Sequence, residues 1–218
     1  MRGVQSGVAV IKHLCLGKVR VGDEMRMIMA VILVGCVATA SVAQPMGERA
    51  ATAELIDTSG IGLQLSRALT EKEAATIKTL IPLIEQQTGT KAKFYGALAY
   101  APDEGLISNA LQGAFNYHSV EAADAAALAA CAAAKTGAGA CSIAARILPP
   151  GYQRRAISLS LDATQAFFDK YRPATGNKYF AISRSTGAWA LGPSEGGALS
   201  ACTRDARGAN DCAILVKD

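Results

Sequence analysis

The chain has 218 residues, of which 50% are hydrophobic, so it can bury a core and is not a disordered tail. Its formal net charge is +4, but five basic and two acidic residues precede Gln44, which leaves the rest of the chain close to neutral. With 6% aromatic residues as well, that part lacks the basic face and stacking surface typical of nucleic-acid-binding proteins. We therefore expect no nucleic-acid partner.

The first predicted element is a secretory signal peptide at residues 25–43, within the stretch MRMIMAVILVGCVATASVAQP. A short positive start precedes an apolar core, and Ser41-Val42-Ala43 forms a small-residue cleavage site. Residues 1–24 mix charges with short apolar runs, so we expect translation to start at the methionine that opens the stretch. The mature protein is expected to be periplasmic or secreted, with no stable membrane insertion after cleavage.

Two alternatives to this cleavage are open. The sequence LVGC that ends at Cys36 matches the pattern before a lipidated cysteine, and a lipid there would anchor the protein to a membrane. The second alternative is an uncleaved transmembrane helix, but the apolar run 27–43 is shorter than the roughly 20 apolar residues that such a helix needs. Lipid anchoring through Cys36 is therefore the main alternative localisation.

Residues 44–92 are predicted to form an N-terminal helical segment. Its helix covers TEKEAATIKTLIPLIEQQ, where Thr70 and Glu73 form a capping box at the N-terminus. Pro82 is predicted to bend this helix or to end its regular part.

A repeat domain is predicted at residues 93–218, with its first copy at about 94–148. FYGALAYAP predicts a strand, DEGL a turn, SVEAADAAALAAC a helix capped by Ser119, and CSIAARIL a closing strand. Residues 152–172 connect the copies, with RRAISLS predicted as a strand and DATQAFFDKYR as a helix.

The second copy, at about 178–218, has the same order of elements. KYFAIS and AWAL predict two strands joined by the turn RSTG, SEGGALSAC predicts a short helix capped by Ser194, and CAILV predicts the closing strand. The sequence therefore predicts an α+β fold. It consists of two tandem disulfide-stapled β-turn-β-α-β repeats with extra helices and a largely antiparallel sheet.

The mature chain keeps four cysteines, two in each copy: Cys131, Cys141, Cys202 and Cys212. Export leads to an oxidising compartment, so we expect disulfides. Four cysteines allow three pairings, and the equal spacing in the two copies favours a local disulfide in each. The alternative is a four-thiolate zinc site, but structural zinc sites use cysteines closer together than these, and we expect no metal.

The repeats also resemble a known family. YGALAYAPDEG, NYHSVEAADAAALAAC and CSIAA, followed by YFAISRSTGAWAL, ALSAC and CAIL, resemble a bacterial secreted family of unknown function. That family has an aromatic-Gly-Ala-Ile-Ala motif near the start of each repeat and Ala-Leu-x-x-Cys near the middle, and the likeness covers about residues 94–218. The second copy departs from the fuller family form, because its helix is shorter and contains Gly196 and Gly197.

Candidate catalytic residues are better explained by folding. Ser194 lies in a Gly-x-Ser-x-Gly motif, but no histidine follows it in the order of that hydrolase fold, so it is predicted to be an N-cap. His118 is the single histidine after residue 43, and a lone histidine is more often structural; Asp103 and Glu104 are predicted turn residues. No lysine stands in a recognisable pyridoxal-phosphate motif, so an aminolevulinate synthase is not indicated and we expect no cofactor.

One cluster of aromatic and polar residues has no folding explanation. It lies in the loop that enters the first repeat's helix and in the loop after the first closing strand, which we expect to meet at one end of the sheet. We predict a recognition surface there, formed by Tyr117, His118, Tyr152 and Arg155.

Three functions are open. The first is an exported, non-catalytic binding or envelope-associated module whose partner is an unidentified envelope component or protein. The second is an inhibitor of a protease or lysozyme that presents a disulfide-closed loop with a basic tip, supplied by Lys135, Arg204 or Arg207. The third is an enzyme of unrecognised type, which would show a pocket with a titratable group of shifted pKa.

Overall fold

The computed structural model of the protein describes residues 44–56, 60–89 and 91–218. The signal peptide, its cleavage site and the alternative lipid site at Cys36 lie outside the described residues. No helix in the described ranges has the length and apolarity needed to cross a bilayer. The elements are α1 Glu48–Glu54, β1 Gly62–Leu65, α2 Glu71–Thr88, β2 Gly96–Tyr100, β3 Gln112–Ala114, α3 Val120–Ala134, β4 Ser142–Leu148, α4 Leu161–Ala166 followed by a π-helical turn Phe167–Tyr171, β5 Tyr179–Ser183, β6 Trp189–Gly192, α5 Glu195–Asp205 and β7 Cys212–Lys217.

The strands form two antiparallel sheets with the same topology at their centre. The first sheet has the order β1-β4-β2-β3 and the second the order β6-β5-β7. In each repeat, the first strand lies between its hairpin partner and the strand that follows the helix. The register also shifts at equivalent places, between Leu98 and Ala99 in β2 and between Phe180 and Ala181 in β5. The predicted α+β fold of two β-turn-β-α-β repeats is therefore confirmed.

A disulfide closes each repeat locally, as the equal spacing predicts. Cys131 is bonded to Cys141 and Cys202 to Cys212, with Cα–Cα distances of 6.2 and 6.1 Å. Each bond ties the repeat's helix to the beginning of its closing strand. By the chain-entropy argument, a loop of this length contributes about 3 kcal/mol to stability.

Capping side chains begin the long helices where the sequence predicts. Thr70 and Glu73 form the capping box of α2, in which Glu73 Oε2 accepts the backbone N–H of Thr70 at 2.8 Å. Ser119 and Ser194 cap α3 and α5 by accepting a backbone N–H three residues ahead. The helix α2 continues beyond Pro82 to its last residue, so the proline does not end it.

Helices cover both faces of each sheet. In β2, Ala97 and Ala99 face the alanine-rich α3, while Leu98 and Tyr100 face α2. Small residues on both sides let α3 and the sheet pack closely. In the second sheet, α5 covers one face, and α1, α4 and the π-helical turn cover the other, where the buried ring of Phe167 packs.

The N-terminal segment 44–92 is not purely helical, which corrects the prediction. Besides α2 it contains the short helix α1 and the strand β1, and β1 pairs with β4 along the edge of the first sheet. Both elements are too short to show a helical or strand period in the sequence, so the pairing partner decides their structure.

The predicted strand RRAISLS is wrong, because residues 154–160 form no strand and bend at Ala156. Their backbone groups bond to side chains of other segments instead of a neighbouring strand. The N–H of Ala156 donates to Glu54 Oε2 at 3.0 Å, and the N–H of Ser160 donates to His118 Nδ1 at 3.2 Å. The alternating apolar residues of this segment therefore belong to the connection that leads to α4 and not to a strand of a sheet.

Candidate binding cleft between the repeats

A cleft of about 350 Å³ lies where the two repeats meet, and we call it the inter-repeat cleft. One wall is formed by residues 115–117, between β3 and α3, and the other by residues 186–188, in the β5–β6 turn. A Cβ on Gly187 would overlap the carbonyl oxygen of Asn116, so the walls approach this closely because residue 187 is glycine. The charged residues that line the cleft are Lys91, Lys93, Asp162, Asp205 and Arg207.

Asn116 ties the first wall to α4. It has a left-handed backbone with a φ of 65°, which asparagine tolerates better than most residues. Its Nδ2 donates to Asp162 Oδ2 at 3.1 Å, and its Oδ1 accepts the N–H of Asp162 at 3.2 Å. Lys93 Nζ donates to the same carboxylate at 2.8 Å, so the charge of Asp162 is balanced within the protein.

His118 lies behind the first wall and is 3% exposed. The N–H of Ser160 donates to His118 Nδ1 at 3.2 Å, so Nε2 carries the proton and donates to the carbonyl oxygen of Ala188 at 2.9 Å. Burial lowers the pKa of His118 to about 4, and the hydrogen bond to Ala188 and the charge of Asp211 offset this only in part. The neutral imidazole thus joins the first repeat, the cap of α4 and the second repeat.

Two further charges at the cleft come from the end of α5 in the second repeat. Asp205 is the last residue of α5, and Arg207 follows with a left-handed φ of 53°. Both side chains are exposed, and neither has a hydrogen-bond or ion-pair partner in the described part of the chain. Lys91 pairs with Glu85 at 3.3 Å, but its side chain is 80% exposed, so that ion pair is weak.

Two residues of the predicted recognition surface, Tyr117 and Tyr152, contact a residue that sequence reasoning missed, Tyr95. Tyr95 and Tyr117 exchange two backbone hydrogen bonds of 3.2 and 2.9 Å, and the ring of Tyr152 meets the ring of Tyr95 edge to face at 5.6 Å. Burial raises the pKa of Tyr95 to about 12. The pair of adjacent aromatic residues before β2, Phe94 and Tyr95, could have pointed to this position in the sequence. Both residues are buried in the core.

The four predicted residues therefore have different positions. Tyr117 lines the inter-repeat cleft, and Tyr152 is half-buried against the first core. Arg155 is exposed, and its Nη1 donates to two carbonyl oxygens at the end of α1 at 3.2 Å each. His118 is buried, which corrects its assignment to an exposed surface, because its ring is committed to hydrogen bonds inside the fold.

The basic residues of the inhibitor hypothesis also differ in their surroundings. Lys135 Nζ donates to the carbonyl oxygens of Gly137 and Gly139 at 3.0 and 2.6 Å, so it folds back onto its own loop. Arg204 and Arg207 are exposed, and Arg207 faces the inter-repeat cleft. The first disulfide loop therefore presents no basic tip.

Asp103 and Glu104 do more than form a turn. Glu104 Oε1 accepts the backbone N–H groups of residues 136 and 137 at 2.6 and 2.5 Å, and Asp103 Oδ2 accepts that of Gly139 at 2.9 Å. A Cβ on Gly139 would overlap the Asp103 carboxylate, so glycine permits this contact. The two carboxylates hold the first disulfide loop against the β2–β3 turn.

Within residues 44–56, 60–89 and 91–218, no group of three or more His, Cys, Asp or Glu side chains is placed to hold a metal ion. Comparison of the chain with protein-family models, curated proteins and solved structures gives no match. The function is therefore inferred from the residues of the cleft.

Proposed function

We propose that the mature chain is an exported, non-catalytic binding module and that the inter-repeat cleft holds its ligand. The supporting observation is the cleft itself, which has a volume of about 350 Å³ and is lined by aromatic, amide and charged side chains from both repeats. A concave site of a few hundred Å³ has the size of small-molecule sites, and its many charged side chains favour a polar ligand.

The two disulfides indicate an oxidising, extracytoplasmic location, since such bonds persist there. Within that location we favour a periplasmic or secreted protein with its signal peptide removed. Anchoring through a lipid on Cys36 is the alternative. The partner in either case is an unidentified component of the cell envelope.

The residues with catalytic potential support binding over catalysis, because folding already uses them. Both ring nitrogens of His118 are engaged in hydrogen bonds. The hydroxyl of Ser194 caps α5, and the cysteines of the described residues are paired with one another. An inhibitor function receives less support from the first disulfide loop, since Lys135 folds back onto its own loop.

The binding function is tested by a substitution that fills the cleft and leaves the core residues unchanged. Asp205→Trp places a large ring at the cleft, and we expect it to reduce retention of an envelope-derived small molecule by about ten-fold or more. The mature chain is incubated with a small-molecule extract of cell envelopes, washed, and the retained compounds are identified by mass spectrometry.

Arg204→Trp is the matched control for this experiment. Arg204 is exposed and precedes Asp205 in α5 but does not line the cleft, so retention should equal that of the unmodified protein. Thermal melting checks that both variants fold. Equal retention by the two variants would show that the ligand binds elsewhere.

A further inference from the structure

Some charged groups of the inter-repeat cleft are paired within the protein and others are not. Asp162 accepts hydrogen bonds from Lys93 Nζ at 2.8 Å and from Asn116 Nδ2 at 3.1 Å, so this carboxylate needs no further partner. Lys91 is solvent-exposed and only weakly paired. Among the described residues that line the cleft, the charged groups with no partner at all are the guanidinium of Arg207 and the carboxylate of Asp205.

Arg207 has the stronger recognition chemistry of the two. A guanidinium presents five N–H donors in a planar fork that fits a carboxylate or phosphate with two parallel hydrogen bonds. The described residues supply no acceptor for these donors. The backbone of Arg207 is constrained, since it has a left-handed φ and lies in a loop closed by the Cys202–Cys212 disulfide. Its exposed side chain is free to turn toward a ligand.

Basic residues reach the cleft from two different segments of the chain. Lys91 and Lys93 approach from the segment before β2, and Arg207 approaches from the loop after α5. Lys93 and Asp162 neutralise each other, so Lys91 and Arg207 remain as positive charges of the cleft and Asp205 as its negative charge. Asp205 remains as a local negative charge that weakens the attraction for an anion.

From this arrangement we propose that the inter-repeat cleft recognises a carboxylate or phosphate group of its ligand through Arg207, with Asp205 opposing the same group. The inference rests on the proposed binding function and names the chemistry of its ligand. Tyr117, which also lines the cleft, is placed to contact the apolar part of the molecule.

The experiment compares acids with neutral analogues that differ only in the charged group. N-acetyl-leucine is titrated against N-acetyl-leucinamide, and glycerol 3-phosphate against glycerol, into the ¹⁵N-labelled mature chain. We expect an acid to shift the amide signals of Asn116, Gly187 and Arg207, and its neutral analogue to leave them unchanged. The pair that responds identifies the group as carboxylate or phosphate.

Three variants make the test specific to the cleft. Arg207→Gln should weaken binding of the acid by about five-fold or more, because the bidentate contact is lost. Arg204→Gln removes the same charge from a neighbouring exposed position outside the cleft, and should change binding less than about two-fold. Asp205→Asn removes the opposing charge and should strengthen binding by about two-fold.

The result for Asp205→Asn decides between an anionic ligand and other classes. Weaker binding of the acid in this variant would overturn the proposal, because it would show that Asp205 attracts the ligand. Equal shifts from an acid and its neutral analogue would also overturn it, as would no shift from either acid at millimolar concentration. The binding function would still stand if Asp205→Trp reduced retention of an envelope compound, so the two proposals fail separately.

Discussion

A buried histidine makes the stability of this protein depend on pH. Burial lowers the pKa of His118 from 6.5 to about 4 in the folded state. Between these values the unfolded chain takes up a proton that the folded chain does not, so falling pH favours unfolding. The contribution of neutral His118 to the free energy of unfolding is fully present above about pH 6.5. It is lost as the pH falls to about 4, and the total loss is about 3 kcal/mol. Urea denaturation at pH 7 and pH 5 should show about 2 kcal/mol of this loss.

His118→Gln is the control for this effect. Glutamine keeps an N–H donor for the carbonyl oxygen of Ala188 but does not titrate, so the difference between pH 7 and pH 5 should be about 2 kcal/mol smaller than in the unmodified protein. Asp211, whose charge acts on His118, has a lowered pKa and stays ionised between pH 5 and pH 7. An identical pH dependence in both proteins would show that His118 is accessible to protons in the folded state.

At the scale of elements, each disulfide loop is joined to the hairpin turn of its repeat by carboxylates. In the first repeat, Asp103 and Glu104 lie in the turn and accept backbone N–H groups of the loop. In the second repeat the direction is reversed. Asp211 lies in the loop and accepts the hydroxyl of Ser183 at 2.5 Å and the N–H of Ser185 at 2.6 Å. The disulfide and the carboxylates together keep the turn, the helix end and the closing strand in one unit.

Glu104→Ala should therefore loosen the first disulfide loop. The backbone N–H groups of residues 136 and 137 lose a charged acceptor, which costs about 1–2 kcal/mol of local stability. Hydrogen exchange of these two amides should become about ten-fold faster or more. Asp211→Ala is the reciprocal control, because it should accelerate exchange at Ser185 and leave residues 136 and 137 unchanged. Unaltered exchange in Glu104→Ala would show that the disulfide alone holds the loop.

Local signals in the sequence predicted the elements that depend on near neighbours. The caps at Thr70, Ser119 and Ser194 and the two disulfides involve residues close in the chain, and all are confirmed. The strand β1 was missed because four residues show no clear period, and only pairing with β4 makes them a strand. The segment 154–160 has strand-like alternation, but its partners are side chains of distant residues.

The inter-repeat cleft was not predictable for a related reason. The sequence drew attention to Tyr117 as a recognition residue and to Arg207 as a basic loop residue, but as parts of two different hypotheses. Their meeting depends on the approach of residues 186–188 to residues 115–117, which are about 70 positions apart in the chain. No local pattern encodes such a contact, because it follows from how the connecting segment places one repeat against the other.

On the scale of the whole molecule, the connecting segment belongs to the cores of both repeats. Leu161, the first residue of α4, packs in the first core, and its N–H donates to the carbonyl oxygen of Phe94 at 2.9 Å. Ala163, two residues later, and Phe167, at the start of the π-helical turn, pack in the second core. His118 adds a buried link between the same three parts. Neither core can lose its packing without exposing apolar surface of α4, so the repeats should unfold together.

The last prediction tests this coupling by weakening one repeat and measuring both. Cys202→Ser with Cys212→Ser removes the disulfide of the second repeat, which should lower the free energy of unfolding by about 3 kcal/mol. Trp189, the single tryptophan of the sequence, reports the second repeat by fluorescence, and hydrogen exchange of the β2 amides reports the first. Because both cores include residues of α4, the decrease in the free energy of unfolding should be the same whether it is measured at β2 or at Trp189. Cys131→Ser with Cys141→Ser, the matching change in the first repeat, should again lower both measures equally. If β2 instead keeps its full protection while Trp189 becomes exposed, the repeats unfold separately, and α4 belongs energetically to the second repeat alone.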